Sequence, residues 1–152
     1  FINGLYAVMM NLARETARDG EVATKLMECV VDHAPTEAVA KSVALSVINS
    51  SLLNAAIFAS DANWGRILCA IGYAEGDFDI SKVEVVLSSS KGSVKVCENG
   101  AGVDFSEDEA FKILSEDEIV IRIDMHDGTD KSVAWGCDLT YEYVKINAEY
   151  RS

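Results

Sequence analysis

The sequence predicts an α+β fold in which helices pack on an antiparallel-leaning sheet. Residues 4–18 and 35–50 repeat apolar side chains at helical spacing, whereas residues 83–87, 94–96 and 119–125 alternate apolar and polar side chains as half-buried strands do. No glycine-rich phosphate loop joins a strand to a helix, as the parallel nucleotide-binding folds require. With 152 residues, 49% of them apolar, and one proline, the chain can bury a core, and it reads as a single unit without linker or internal repeat.

Taken in order, Leu5, Met9, Leu12, Ala13 and Thr16 share one face of the first helix, and Gly20 is placed to end it as the left-handed residue beyond the cap. Glu21 follows at a helix-to-strand corner, where binding residues are commonly carried. Residues 22–31 lean to a strand. Pro35 suits the first position of a second helix, whose buried stripe is Val39, Ala40, Val43, Ala44 and Val47 and which runs to about residue 50. After a small apolar run at 52–60, Asp61 or Asn63 can cap a helix over 64–71 that ends at Gly72. Trp64, Gly65 and Arg66 gather at its start, and read as a half-buried indole with an arginine paired to a nearby carboxylate.

Val83, Val85 and Leu87, the loop 88–92, and Val94 to Val96 make a hairpin with one wet face. Ser106 to Glu109 is a capping box opening a short helix through Ile113, so the acids between 104 and 118 read as a solvated, capped surface and not as a metal site. Ile119, Ile121, Ile123 and Met125 mark one face of a strand, and Asp127-Gly128 turns into another over 132–137. Asp138 can cap a last segment in which Leu139, Tyr143 and Ile146 share a helical face. The residues after Lys145 lack that stripe, so the tail either inserts into a site or frays.

Twenty-five acidic residues against 13 basic ones leave a net charge of −12, which disfavours nucleic acid and anionic membrane as partners. No apolar run approaches the roughly 18 residues of a membrane helix, and no signal segment opens the chain. A soluble, cytoplasmic protein is expected. Cys29, Cys69, Cys97 and Cys137 lie far apart with no CxxC pair, so free thiols are expected, with no metal and no disulfide. The chain opens Phe1-Ile2-Asn3 inside an amphipathic pattern, as a piece of a longer polypeptide would.

Acyl transfer or hydrolysis needs a nucleophile, a base in reach and donors for an oxyanion. The chain has no GxSxG, no HExxH and no supported Cys-His pair, and His33 and His126 read as turn or strand-end histidines. No catalytic residue is expected within it.

Three separated runs carry a resemblance: Arg18-Asp19-Gly20-Glu21 with Ala23-Thr24-Lys25, then Asn63-Trp64-Gly65-Arg66 with Gly72-Tyr73-Ala74, then the eighteen residues from Trp135 through Asp138 and Asn147 to Ser152. In this order they resemble the bifunctional glutamate/ornithine N-acetyltransferases of arginine biosynthesis, over essentially the whole chain. The resemblance implies a self-processing fold of the N-terminal-nucleophile type, cut before a threonine that becomes the acyl-accepting nucleophile with its own α-amine as base. It implies acetyl transfer from N-acetylornithine to glutamate through an acetyl-threonine, with acetyl-CoA accepted by some members. The nucleophile and oxyanion donors would lie upstream, residues 1–152 being the C-terminal part of the β chain. The implied partners are the α chain and a second copy of the β chain, in an α2β2 heterotetramer, and no cofactor is implied.

By the same resemblance Glu21, Asn147 and Ser152 contact the substrate. Glu21 would pair with the side-chain ammonium of N-acetylornithine, while the Asn147 amide and the Ser152 hydroxyl would serve its α-carboxylate and acetamide. The sequence departs from the family twice, with Val22 where glycine is usual and Ala62 where proline is usual. A branched residue resists positive φ, so the backbone or pocket beside Glu21 is expected to differ. The competing readings are a related amidase or aminopeptidase, with water as acceptor, and a non-catalytic interaction domain.

Overall fold

The structure is a computed structural model that describes residues 1–150. Among the described residues, helix α1 (Ile2–Arg18) leads through a turn to strand β1 (Leu26–Ala34), followed by helices α2 (Glu37–Ile48), α3 (Ser51–Phe58) and α4 (Trp64–Gly72). A 3-10 turn at Ile80–Lys82 precedes β2 (Glu84–Ser89), β3 (Gly92–Glu98), β4 (Ala101–Gly102), α5 (Glu107–Leu114), β5 (Glu118–Asp124), β6 (Asp130–Cys137) and α6 (Tyr141–Glu149). The strands form one sheet in the order β4-β3-β2-β5-β1-β6. Only the β1–β5 pairing is parallel; the others are antiparallel.

One face of this sheet makes the core. Registered neighbours Leu87, Ile121, Cys29 and Ala134 lie across it from strand to strand, and Val85, Ile123, Val31 and Met27 extend it. Val39, Ala40, Val43, Ala44 and Val47 of α2, Ile67 and Ile71 of α4, and Ala110, Ile113 and Leu114 of α5 join the same buried cluster. Burying each large aliphatic side chain contributes about 1.5–3 kcal/mol. The periodicity that predicts these elements is therefore the periodicity that is buried.

The second face is less covered. Helix α1 lies against it, with Tyr6 and Met10 lining a cleft with Val30, Arg122 and Val133, and Arg14 and Arg18 both pairing with Glu118. No residue of α1 is buried, and the face expected to be covered, Leu5, Met9 and Leu12, is at least half exposed.

Several local expectations are corrected. Gly20 does not end α1 in a left-handed conformation: Asp19 closes the helix, and the left-handed residue is Val22, at φ 52°. Glycine is needed at 20 for space, since a Cβ there would meet the Cys137 Sγ at 2.5 Å. β1 begins at Leu26 and not at Val22, because the backbone at 24 and 25 bonds to the Asp138 side chain instead of to a strand. Pro35 precedes the cap of α2, which is Thr36, its hydroxyl accepting from Val39 N–H at 3.1 Å. The small apolar run is helical as far as Phe58, in a helix capped by Ser50.

Asn63 caps α4, and Ser106 caps α5 as the capping box requires. Arg66 donates to the Leu52 carbonyl at 2.7 Å, not to a carboxylate. Asp127-Gly128 does lead from β5 to β6, but these strands do not pair, because β1 lies between them. Thr140, not Asp138, caps α6. Its stripe is uncovered among the described residues: Tyr143 and Ile146 are exposed and Leu139 is half-buried. No single helix among the described residues is long and apolar enough to cross a membrane; α2 and α3 reach that length together, but bend by 56° and bury their stripe in the core.

Candidate functional site

The residues from 18 to 25 form the corner between α1 and β1. Ala23 N–H donates to the Gly20 carbonyl at 3.0 Å, closing a turn with Glu21 and Val22 at its two central positions. A positive φ at the second of these is what a type II turn requires, and it projects Glu21 into solvent. At the far end of β6, residues 138–140 lie alongside the same corner. Asp138 N–H donates to the Lys25 carbonyl at 3.2 Å. Its carboxylate accepts from Thr24 N–H at 2.8 Å, from Lys25 N–H at 2.9 Å, and from the Thr24 hydroxyl. The Thr140 hydroxyl donates to the Val22 carbonyl at 3.2 Å and accepts from Tyr143 N–H at 3.2 Å, capping α6.

Helix α6 therefore starts from the strap that holds the Glu21 corner, and Asn147 lies near its end. The Asn147 side-chain nitrogen donates to the Glu21 carboxylate at 2.9 Å and to the Tyr143 carbonyl at 2.9 Å. Of the three predicted binding residues, the fold brings Glu21 and Asn147 together across 126 positions; Ser152 lies outside the described residues. With both amide protons engaged, Asn147 presents its Oδ1, an acceptor, to anything that binds beside Glu21. The Glu21 carboxylate retains acceptor capacity beyond the Asn147 bond, and among the described residues no lysine or arginine pairs with it. A partly screened anion with a directed neighbour can bind a ligand's ammonium.

Behind the corner, Lys25 is buried, and its Nζ donates at 2.7 Å to each of Ile57 O, Ser60 Oγ and Leu114 O. It thereby closes the carbonyl ends of α3 and α5 together. Burial pushes the Lys25 ammonium below its ordinary range, with the Asp138 carboxylate acting in the opposite direction. The Thr24-Lys25 pair and the Asp138-to-Thr140 run were legible only as a resemblance and as a cap; their meeting is a tertiary event.

The relationship that decides membership is motif-bound. The Gly20-Glu21 corner and the Asp138-to-Asn147 segment, from opposite ends of the chain, are joined by a hydrogen bond, and the ArgJ family model matches residues 1–152. The chain belongs to the ArgJ family. It is 51% identical over 152 residues to the arginine biosynthesis bifunctional protein ArgJ of Caldanaerobacter subterraneus and 47% identical to ArgJ 1 of Clostridium acetobutylicum, covering all of this chain each time. It spans 38% and 37% of those relatives' lengths. The crystal structure of ArgJ from Bacillus halodurans superposes with a TM-score of 0.89 at 40% identity, over 97% of this chain and 68% of that one. The α+β fold is thus the N-terminal-nucleophile type of the ArgJ proteins.

The remaining candidates lie elsewhere. His33 and His126 stand at the opposite end of β1 and β5, both at positive φ, with rings stacked 6.5 Å apart. They flank one carboxylate, Asp124, at 2.8 and 3.3 Å, as strand-end side chains. Trp64 packs on Gly102, where a Cβ would meet its Cζ2 at 2.6 Å, beside a cavity of about 470 Å³ that Asp61, Asp104 and Glu107 line. Among the described residues no group of three or more His, Cys, Asp or Glu side chains converges as metal ligands would.

Proposed function

We propose that this chain is the substrate-binding C-terminal portion of a glutamate/ornithine N-acetyltransferase acting in arginine biosynthesis. The observation that carries the proposal is the Asn147–Glu21 hydrogen bond, which joins two family motifs from opposite ends of the sequence. In this reading Glu21 receives the side-chain ammonium of N-acetylornithine and Asn147 Oδ1 accepts a substrate N–H, with Ser152 completing the set. The acetyl group passes to the hydroxyl of a threonine outside residues 1–152, ornithine leaves with its α-amine restored, and glutamate takes the acetyl group from the acetyl-threonine. Acetyl-CoA is a second donor to the same threonine. Residues 1–152 act as one unit of the β chain in a cytoplasmic α2β2 assembly. The exposed apolar faces of α1 and α6 support a partner there, since among the described residues neither helix buries one of its own.

The test is acetyl transfer by the intact source protein. Supplied with N-acetylornithine and glutamate, it is expected to release ornithine only when glutamate is present. Glu21→Ala is expected to lower kcat/KM for N-acetylornithine by about 10- to 150-fold, the worth of a hydrogen bond to a charged group. Ornithine release without glutamate would make it a hydrolase, and turnover indifferent to Glu21 would remove the assigned role.

A further inference from the structure

Val22 is a branched residue at φ 52°, beside the carboxylate that the proposed function uses. Such a conformation crowds the Cβ branches against the backbone and persists only where the surroundings impose it. Beyond the Gly20–Ala23 bond that closes the turn, the imposing contacts lie on one segment. Thr140 Oγ1 donates to Val22 O at 3.2 Å, Asp138 holds Thr24 and Lys25, and Gly20 seats against Cys137. Thr140 and Asp138 are 4% and 5% exposed, so their side chains are held in place on the inner side of the corner.

We propose that Thr140 is a positioning residue for Glu21: its hydroxyl holds Val22 left-handed, and so sets the Glu21 carboxylate against Asn147. The proposal rests on the reading that Glu21 binds the substrate ammonium. Thr140 serves both partners at once, because the same oxygen that fixes the Val22 peptide caps the helix carrying Asn147. If the bond to Val22 is lost, the valine relaxes to negative φ, and the adjoining peptide turns Glu21 away from Asn147. Glycine at 22 would need no such hold, as it enters the left-handed region without strain.

The test is a double-mutant cycle in the intact source protein. Thr140→Val is expected to raise KM for N-acetylornithine about tenfold with a smaller change in kcat, as the loss of one hydrogen bond allows. Combined with Val22→Gly, the same substitution should cost less than about threefold, because the strain it releases is gone. Thr140→Ser keeps the hydroxyl and should behave as the parent does. The lost α6 cap is common to both backgrounds and cancels. Equal cost of Thr140→Val with valine or glycine at 22 overturns the proposal, whether read from KM or, if the single variant folds poorly, from the melting temperature.

Hydrogen exchange at the Ala23 amide, bonded to Gly20 O, reports the turn without substrate. It should speed up in Thr140→Val and recover with Val22→Gly. Exchange that responds while turnover ignores Glu21 sinks the functional reading alone; exchange that does not respond sinks the strap.

Discussion

Asn147 and Glu21 meet through a 2.9 Å hydrogen bond although 126 positions separate them, and the Asn147 nitrogen spends its other proton on Tyr143 O. Asn147→Ala removes the neighbour that orients the carboxylate and the Oδ1 acceptor together. Its expected effect is a fall of about tenfold in kcat/KM for N-acetylornithine, carried by KM. Steady-state kinetics with that substrate varied would check it, and an unchanged ratio would refute the pairing as a binding unit.

Lys25 closes two helix ends with one ammonium. Lys25→Met would remove the ammonium from Ile57 O, Ser60 Oγ and Leu114 O, leaving Ile57 O only the Ser60 N–H and Leu114 O only the Ser60 hydroxyl. The lost charge-assisted bonds are expected to cost about 3 kcal/mol, measurable by denaturant titration. The pH dependence has a definite sign. Burial lowers the folded-state pKa of Lys25 below its unfolded value, so the penalty is fully present at pH below the folded pKa. Between the two values the unfolded chain binds more protons, and stability rises with pH until about 10.4, the ordinary lysine value. The advantage of the parent over Lys25→Met should therefore widen through that alkaline interval. A constant difference would contradict the burial argument.

The four cysteines should separate by reactivity. Cys69 is exposed, Cys137 half-buried, and Cys29 and Cys97 buried. Burial raises the thiols of Cys29, Cys97 and Cys137, which suppresses the reactive thiolate. With a chromogenic disulfide reagent, Cys69 should react first and Cys137 slowly, while Cys29 and Cys97 appear only with denaturant. Rapid labelling of Cys29, identified by peptide mass, would be incompatible with its place on the buried face of the sheet.

Much of the fold was legible because burial leaves a period in the sequence. Val39, Val43 and Val47 at helical spacing, and Ile119, Ile121 and Ile123 at strand spacing, are all core residues. The helix caps at Asn63 and Ser106 were legible for a similarly local reason, since cap and helix lie within three residues. The site was legible only through its motifs, because two exposed polar residues on a corner and a terminal helix carry no pattern of their own.

By itself, then, the sequence determined which faces are apolar, where most helices begin, and that two distant motifs belong to one family. Tertiary structure decided that β1 lies between β5 and β6, that Asp138 turns back to Thr24 and Lys25 while Thr140 caps α6, and that Val22 takes the left-handed turn position. Periodicity records only how deeply a residue is buried. A polar group with several donors in reach bonds where water is excluded, and a strained φ survives only where neighbours hold it; both conditions arise when distant segments pack.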